Sequence, residues 1–274
     1  MSRETSAARR AKPSQPAASE CEMIEHIPFT RDAGIGERAR LGLIVLATDY
    51  TIEHEYRSVL QHLPGVALYQ SRIMNSSTIT PETLSAMREG IAGAAELLLP
   101  GDAKGLGVIA YGCTSASMVL GEETVAERIH SVRPGVKVTT PITAAFEAFR
   151  AFGAKRIGVL TPYRADVNAI VREYIERKGF EVPVFGSYNE PDDGIVASID
   201  AASVQRGVDA ITRRHKVDMV FVSCTSVRLM EACAGIEKAL GVPVTSSNHA
   251  TVWHSLRLAG VTDKLPRFGR LYER

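Results

Sequence analysis

From Leu41 onward, short apolar runs alternate with longer stretches in which apolar residues recur every three or four positions. LGLIVLA (41–47) is a continuous apolar run, the pattern of a parallel strand covered on both faces. A helix over 52–62 follows, then a strand over 65–73. Residues 81–99 have helical spacing behind a Thr80-Pro81 start, and proline is well suited to a first helical turn. GLGVIAYGC (105–113) predicts a third strand, 116–132 a helix, 136–140 a fourth strand and 141–152 a helix closed by Gly153. The rhythm then restarts. Strands are expected at 156–162, 181–188, 217–224 and 242–247, and helices at 164–178, 193–214, 226–240 and 248–259. Such a βαβα order predicts parallel sheets covered by helices.

The restart is visible in the residues themselves. VIAYGCTSASMVLGEETVAERI (108–129) aligns with VFVSCTSVRLMEACAGIEKAL (220–240), and both carry Cys-Thr-Ser. VTTPITAAFEAFRAFG (138–153) aligns with VTSSNHATVWHSLRLAG (244–260). Cys113 and Cys224 lie 224 − 113 = 111 residues apart, about one domain length. The fold class is therefore α/β with two pseudo-symmetric halves, each a four-stranded parallel sheet flanked by helices. We expect residues 39–150 plus 250–274 in the first half and 151–249 in the second. Residues 1–38 form an irregular extension, and 1–20, rich in Ala, Ser, Pro and Arg, are expected to be disordered.

Composition narrows the function classes. Lys plus Arg number 32 and Asp plus Glu 31, so the net charge of +1 offers no global nucleic-acid footprint. There is no apolar run of 18 residues and no apolar core near the N-terminus, so neither a membrane span nor a secretory signal is expected. Four cysteines in 274 residues make no disulfide framework, which leaves free thiols and a reducing cytoplasm as the expectation. No C-x-x-C or H-x-x-x-H pair suggests zinc, and GDAKGLG (101–107) is neither a dinucleotide fingerprint nor a P-loop.

Cys113 and Cys224 each end a buried strand, where parallel sheets carry their functional loops. The Thr and Ser that follow are expected to start a helix, whose free N–H groups and dipole favour a thiolate or bind a carboxylate. Two thiols facing one another across a cleft would supply an acid on one side of a carbon and a base on the other, as stereoinversion requires. A cysteine at a strand end is also a common small core residue, and that reading stands beside the catalytic one. Cys233 reads as core and Cys21 as incidental. His249 and His254 read as structural or as neighbours of the site, Ser247 and Asn248 as loop-shaping, and Asp192-Asp193 as an acidic helix cap.

These residues carry a resemblance. LGLIVLATDYTIEHE (41–55), VIAYGCTSAS (108–117), RIGVLTPY (156–163), SYNEPDD (187–193), VFVSCTS (220–226) and VTSSNHATVWHSLRLAGV (244–261) resemble the aspartate/glutamate racemase superfamily. Within it they resemble the maleate cis-trans isomerase and arylmalonate decarboxylase branch, including members linked to ectoine utilisation. The resemblance implies a cofactor-independent isomerase or racemase of a small carboxylate or amino-acid derivative, without metal, acting as a homodimer. It implies Cys113 as nucleophile or base, Cys224 as the acid/base on the other face, and Tyr163 and Asn189 as substrate contacts. Thr114, Ser115, Thr225 and Ser226 would offer donors to carboxylate oxygens.

Maleate isomerases resemble one another in an Asn after the first strand, where this chain has Asp49. An ionised Asp only accepts hydrogen bonds, so Asp49 suits a substrate ammonium or assists proton transfer; alternatively it caps the next helix. Arylmalonate decarboxylases resemble a pattern with one cysteine, in the second half, so the additional Cys113 favours isomerase chemistry over decarboxylation. A decarboxylase and a non-catalytic carboxylate-binding protein remain the alternatives.

Overall fold

The computed structural model describes residues 22–76, 78, 80–100 and 105–274. The expected disorder of 1–20, Cys21 and the start of the 101–107 loop lie outside the described residues. Residues 22–32 belong to a separate unit, and there they are exposed, without helix or strand. Residues 33–274 form one compact unit in which regular structure begins at Ala39.

Its first part runs β1 (Ala39–Leu46), α1 (Ile52–Leu60), β2 (Val66–Ile73), α2 (Pro81–Ala86), α3 (Gly90–Glu96), β3 (Val108–Gly112), α4 (Thr114–Leu120), α5 (Glu122–His130), β4 (Lys137–Thr139) and α6 (Pro141–Phe152). The second runs β5 (Arg156–Thr161), α7 (Ala165–Arg177), β6 (Glu181–Ser187), α8 (Asp193–Val196), α9 (Ala201–Arg214), β7 (Met219–Val222), α10 (Cys233–Leu240), β8 (Val244–Ser246) and α11 (Ser247–Leu258). Two parallel four-stranded sheets result, ordered β2-β1-β3-β4 and β6-β5-β7-β8. The order is the same in both, since β5 to β8 repeat the arrangement of β1 to β4.

Apolar continuity explains the central strands. Leu41, Leu43, Ile44 and Val45 on β1 and Val108 to Tyr111 on β3 are fully buried, as are Val220 to Val222 on β7. Such strands leave no polar face and need helices on both sides. In this strand order the chain reverses direction across the sheet between β1 and β3, and again between β5 and β7, so crevices open at their carboxyl ends. Gly112 permits the tight pairing there: a Cβ would stand 2.9 Å from the Ile44 carbonyl oxygen.

Three long helices expected from periodicity are broken. The 81–99 stretch becomes α2, a 3-10 turn (Met87–Glu89) and α3. The 116–132 stretch becomes α4 and α5, divided at Gly121 with φ +86°. The 193–214 stretch becomes α8 and α9, with Asp200 capping the second through Ser203 N–H at 2.6 Å. The fourth difference matters most for the site: 226–240 does not open as a helix. Residues 225–232 run as turns, and α10 begins only at Cys233, which is buried at its first position rather than in mid-helix.

Helix α11 joins the two sheets. It leaves β8 through the Ser246 cap and packs against α6, β3 and α1. His249 on it is fully buried; its Nε2 donates to the Phe268 carbonyl at 2.6 Å, so its Nδ1 accepts from Thr245 Oγ1 at 2.9 Å. His254 meets Thr139 Oγ1 at 2.8 Å. Both histidines therefore anchor structure.

Candidate active site

One cleft gathers the ends of β1, β2, β3, β5 and β7. It is lined by Cys113, Thr114 and Ser115 from the first repeat and by Cys224, Thr225 and Ser226 from the second, with Tyr163 and Asp193. Leu46, Asn75, Ser76, Thr78, Thr83, Leu84 and Met87 complete the wall. The two Cys-Thr-Ser segments, far apart in sequence, thus face one enclosed space. Its volume is about 20 Å³, room for about one water.

The two cysteines are held differently. Cys113 is the N-cap of α4, its carbonyl accepts from Ser117 N–H at 3.2 Å, and its thiol lies 3.8 Å from Ser115 Oγ. Cys224 has no helix behind it, contrary to expectation. Its sulfur accepts from Ser226 N–H at 3.4 Å within a turn, and the Tyr163 hydroxyl reaches it. The reason is a buried carboxylate. Glu55 on α1 accepts the Leu229 and Met230 N–H groups, both at 2.7 Å, and so fixes the 225–232 segment in a non-helical path.

Further links tie the turns together. Ser247 Oγ accepts from Thr114 Oγ1 at 2.7 Å and from the Cys224 N–H at 3.0 Å, so one hydroxyl bridges both cysteine motifs. Asn248 donates to Glu55 at 2.8 Å and to the Thr225 carbonyl at 2.7 Å. Thr51 Oγ1 donates to the Ser226 carbonyl at 3.0 Å.

Asp49 is buried behind the cleft rather than among the groups lining it. Its Oδ1 accepts the Thr51 and Ile52 N–H groups at 2.7 and 2.8 Å, the helix-capping role. Its Oδ2 has no hydrogen bond, although the Thr225 hydroxyl faces the carboxylate. Arg72 donates to the Asp49 carbonyl at 3.3 Å and is spent on backbone oxygens and Glu53.

Asn189 is exposed and does not line the cleft; its backbone, at φ +53°, turns back so that its N–H donates to Ser187 Oγ. The residue that does reach the cleft from this loop is Asp193. Asp192 takes the cap position through Ile195 N–H, which frees its neighbour. Asp193 accepts from Thr48 Oγ1 at 3.0 Å and from Ser226 Oγ at 3.2 Å, joining loops of both repeats. In sequence it stands in PDDG, where a cap explains both acids, so only its position after β6 could have pointed to it.

Electrostatically the cleft is acidic. Burial is the main cause that pushes both cysteine thiols up to about 12, and the nearby Asp49 and Asp193 add to it. The same burial raises Asp49 and Asp193 above the usual carboxylate range and brings Glu55 to about 7. Burial thus works against the thiolate-favouring setting expected of a helix N-terminus.

Comparison with known proteins defines the class. A family model described as arylmalonate decarboxylase matches residues 41–272. The chain belongs to that family. It is 29% identical over 244 residues to a maleate isomerase of Nocardia farcinica, covering 85% of this chain and 94% of the relative. It is 30% identical over 200 residues to an arylmalonate decarboxylase of Bordetella bronchiseptica, covering 72% of this chain and 82% of the relative. Among solved structures, the maleate isomerase Iso of Pseudomonas putida S16 superposes with a TM-score of 0.77 at 27% identity, covering 85% and 98% of the two chains. A variant of the Nocardia farcinica enzyme with a covalently bound succinylcysteine intermediate superposes at 0.73 with 26% identity, covering 85% of this chain and 98% of that one.

Proposed function

We propose that this chain is a cofactor-independent isomerase of a small carboxylate, with Cys113 and Cys224 acting from opposite walls of the cleft. The observation that carries this reading is the meeting of two Cys-Thr-Ser segments from equivalent strands around one space. The working body is the pair of halves expected from the sequence, 39–150 with 250–274 and 151–249, assembled as a cytoplasmic homodimer.

In the proton-transfer form, one thiolate takes the α-proton and the bonding electrons move into the carboxylate as an enediolate. The opposite thiol then delivers its proton to the other face, and the roles of the two sulfurs exchange. The demanding step is charge development on the carboxylate oxygens. Of the wall hydroxyls, Ser115 can donate to it directly, whereas Thr114 and Ser226 already donate to Ser247 and Asp193, and Thr225 faces Asp49, so those three turn toward the substrate only by giving up their present partners. Tyr163 hydrogen-bonds Cys224 and so favours that thiolate. Burial favours the protonated thiols, so forming the thiolate passes a proton to solvent or to a neighbouring carboxylate. Asp49, a buried carboxylate that acts on both thiols and has an oxygen without a hydrogen bond, suits that role.

The second form is cis-trans isomerisation. The relatives named as maleate isomerases, one with a succinylcysteine intermediate, favour it. Here the Cys113 thiolate adds to one alkene carbon, the π electrons move to the carboxylate, the new single bond rotates, and the C–S bond breaks. Decarboxylation of a substituted malonate is disfavoured by the presence of two cysteines at the cleft.

Proton NMR in D₂O separates the forms. Maleate, aspartate, glutamate, N-acetyl-2,4-diaminobutyrate isomers and phenylmalonate would be incubated with the enzyme. Inversion with loss of an α-proton signal marks the racemase and fumarate marks the alkene isomerase. Turnover should vanish in Cys113→Ala and in Cys224→Ala while the fold persists; near-normal turnover in either variant removes that sulfur from the mechanism.

A further inference from the structure

Asp193 is the sole charged side chain on the cleft wall among the described residues. No Lys, Arg or His among the described residues lines the space. Behind the wall stands Asp49, 96% buried by its 4% exposure, with an oxygen that has no hydrogen bond. The nearest guanidinium, on Arg72, is directed to backbone oxygens and Glu53. A substrate carrying two negative charges would therefore enter a space already bounded by carboxylates and containing no compensating cation.

The setting of Asp193 is that of an acceptor held ready. Thr48 and Ser226 each donate one hydroxyl to it, one per oxygen. Thr48 is fixed in turn by Asn75, whose Nδ2 donates to Thr48 Oγ1 at 2.8 Å and whose Oδ1 accepts the Thr48 N–H at 3.2 Å. A carboxylate has about four acceptor positions, so two remain open. The hydroxyls orient it without neutralising it.

We propose that Asp193 is a specificity-determining residue that receives a protonated nitrogen on the substrate, so that the cleft takes amine-bearing carboxylates in preference to plain dianions. This rests on the cleft being the isomerase site proposed above. The cation would lie beside both cysteines, opposite in sign to the carboxylates that add to the effect of burial on their thiols. Binding of the correct substrate would then itself favour the thiolate, whereas a dianion would oppose it.

The test uses probe pairs that differ by one nitrogen: succinate with aspartate, glutarate with glutamate, and butyrate with 2-aminobutyrate. Binding to the full chain would be measured by calorimetry. Protection of Cys113 and Cys224 from iodoacetamide, read by mass spectrometry, places each probe in the cleft. The expected result is that the amine-bearing member of at least one pair protects both cysteines and binds about ten-fold or more tightly than its partner, the size of one charge-assisted hydrogen bond. That advantage should disappear in Asp193→Asn. Asp193→Ser, which keeps a hydroxyl for Thr48 and Ser226, provides a second variant should the first misfold.

The proposal is overturned if nitrogen-free dianions bind as tightly as the amines, if the preference survives both substitutions, or if no amine-bearing probe protects either cysteine. Its failure is distinct from failure of the isomerase reading. Cysteine-dependent turnover of maleate with no amine preference removes the role of Asp193 alone. Asp193-dependent amine binding without proton exchange or geometric change in any probe removes the isomerase alone.

Discussion

Ser247 and Tyr163 show how much of this site hangs on single hydroxyls. Ser247 accepts from both cysteine motifs, and its loss would strand the buried Cys224 N–H. Ser247→Ala should therefore cost about 1–3 kcal/mol in urea denaturation and lower turnover; an unchanged midpoint with unchanged rate would show that the bridge is incidental. Tyr163→Phe removes the donor that reaches the Cys224 sulfur. It should lower kcat by about 10²-fold while leaving the fold intact, because that bond strengthens only as the sulfur ionises; a purely KM effect would make Tyr163 a binding group instead. At this scale Cys113, Cys224 and Tyr163 were legible because each ends a strand within a recognisable local motif. Asn189 and Asp193 were not. Which of several polar residues in SYNEPDDG faces inward depends on a positive φ at Asn189 and on Asp192 taking the cap, and neither leaves a periodic trace.

Elements obey a different logic, in which periodicity reveals that a strand or helix exists but not where tertiary contacts interrupt it. The strands were legible to within two or three residues at each end, since buried parallel strands must be apolar throughout. Helix breaks were less so. Gly121 could have marked the break between α4 and α5, but the non-helical 225–232 segment is imposed by Glu55, about 170 residues away in sequence, whose oxygen captures two N–H groups. Two glycine substitutions probe this level. Gly112→Ala would push a Cβ against the Ile44 carbonyl at 2.9 Å, in the strand that delivers Cys113. Backbone can yield only by separating β1 from β3, so a loss of about 1–3 kcal/mol is expected. Gly235, inside α10, has nothing within 4 Å of its missing Cβ. Gly235→Ala should add about 0.5–1 kcal/mol through the helix entropy term. Equal effects of the two changes, measured by denaturant midpoints, would show that the close approach at Gly112 is not a constraint.

For the whole molecule, the same buried carboxylate that shapes the Cys224 segment makes stability depend on pH. Glu55 is fully buried, and burial raises it from the usual carboxylate value to about 7, despite three N–H donors. A group raised on folding binds its proton more tightly in the folded chain. Its contribution is complete below about 4.5 and is lost as pH rises to about 7. His249 runs the other way: burial lowers it to about 4, so its contribution is present above about 6.5 and is lost as pH falls toward 4. Between about 4.5 and 6.5 the two slopes oppose one another, and a stability profile of the wild-type chain hides both. Glu55→Gln separates them, because the amide oxygen still accepts from Leu229 and Met230 while the titration is gone. Relative to wild type, the variant should gain progressively from pH 4.5 to 7, by about 3 kcal/mol in all, and then keep a constant difference. Urea denaturation at half-unit steps from pH 4.5 to 8 measures this directly. A difference that does not change with pH would mean that Glu55 never titrates in that range, and that the turn carrying Cys224 is held by a carboxylate already ionised throughout.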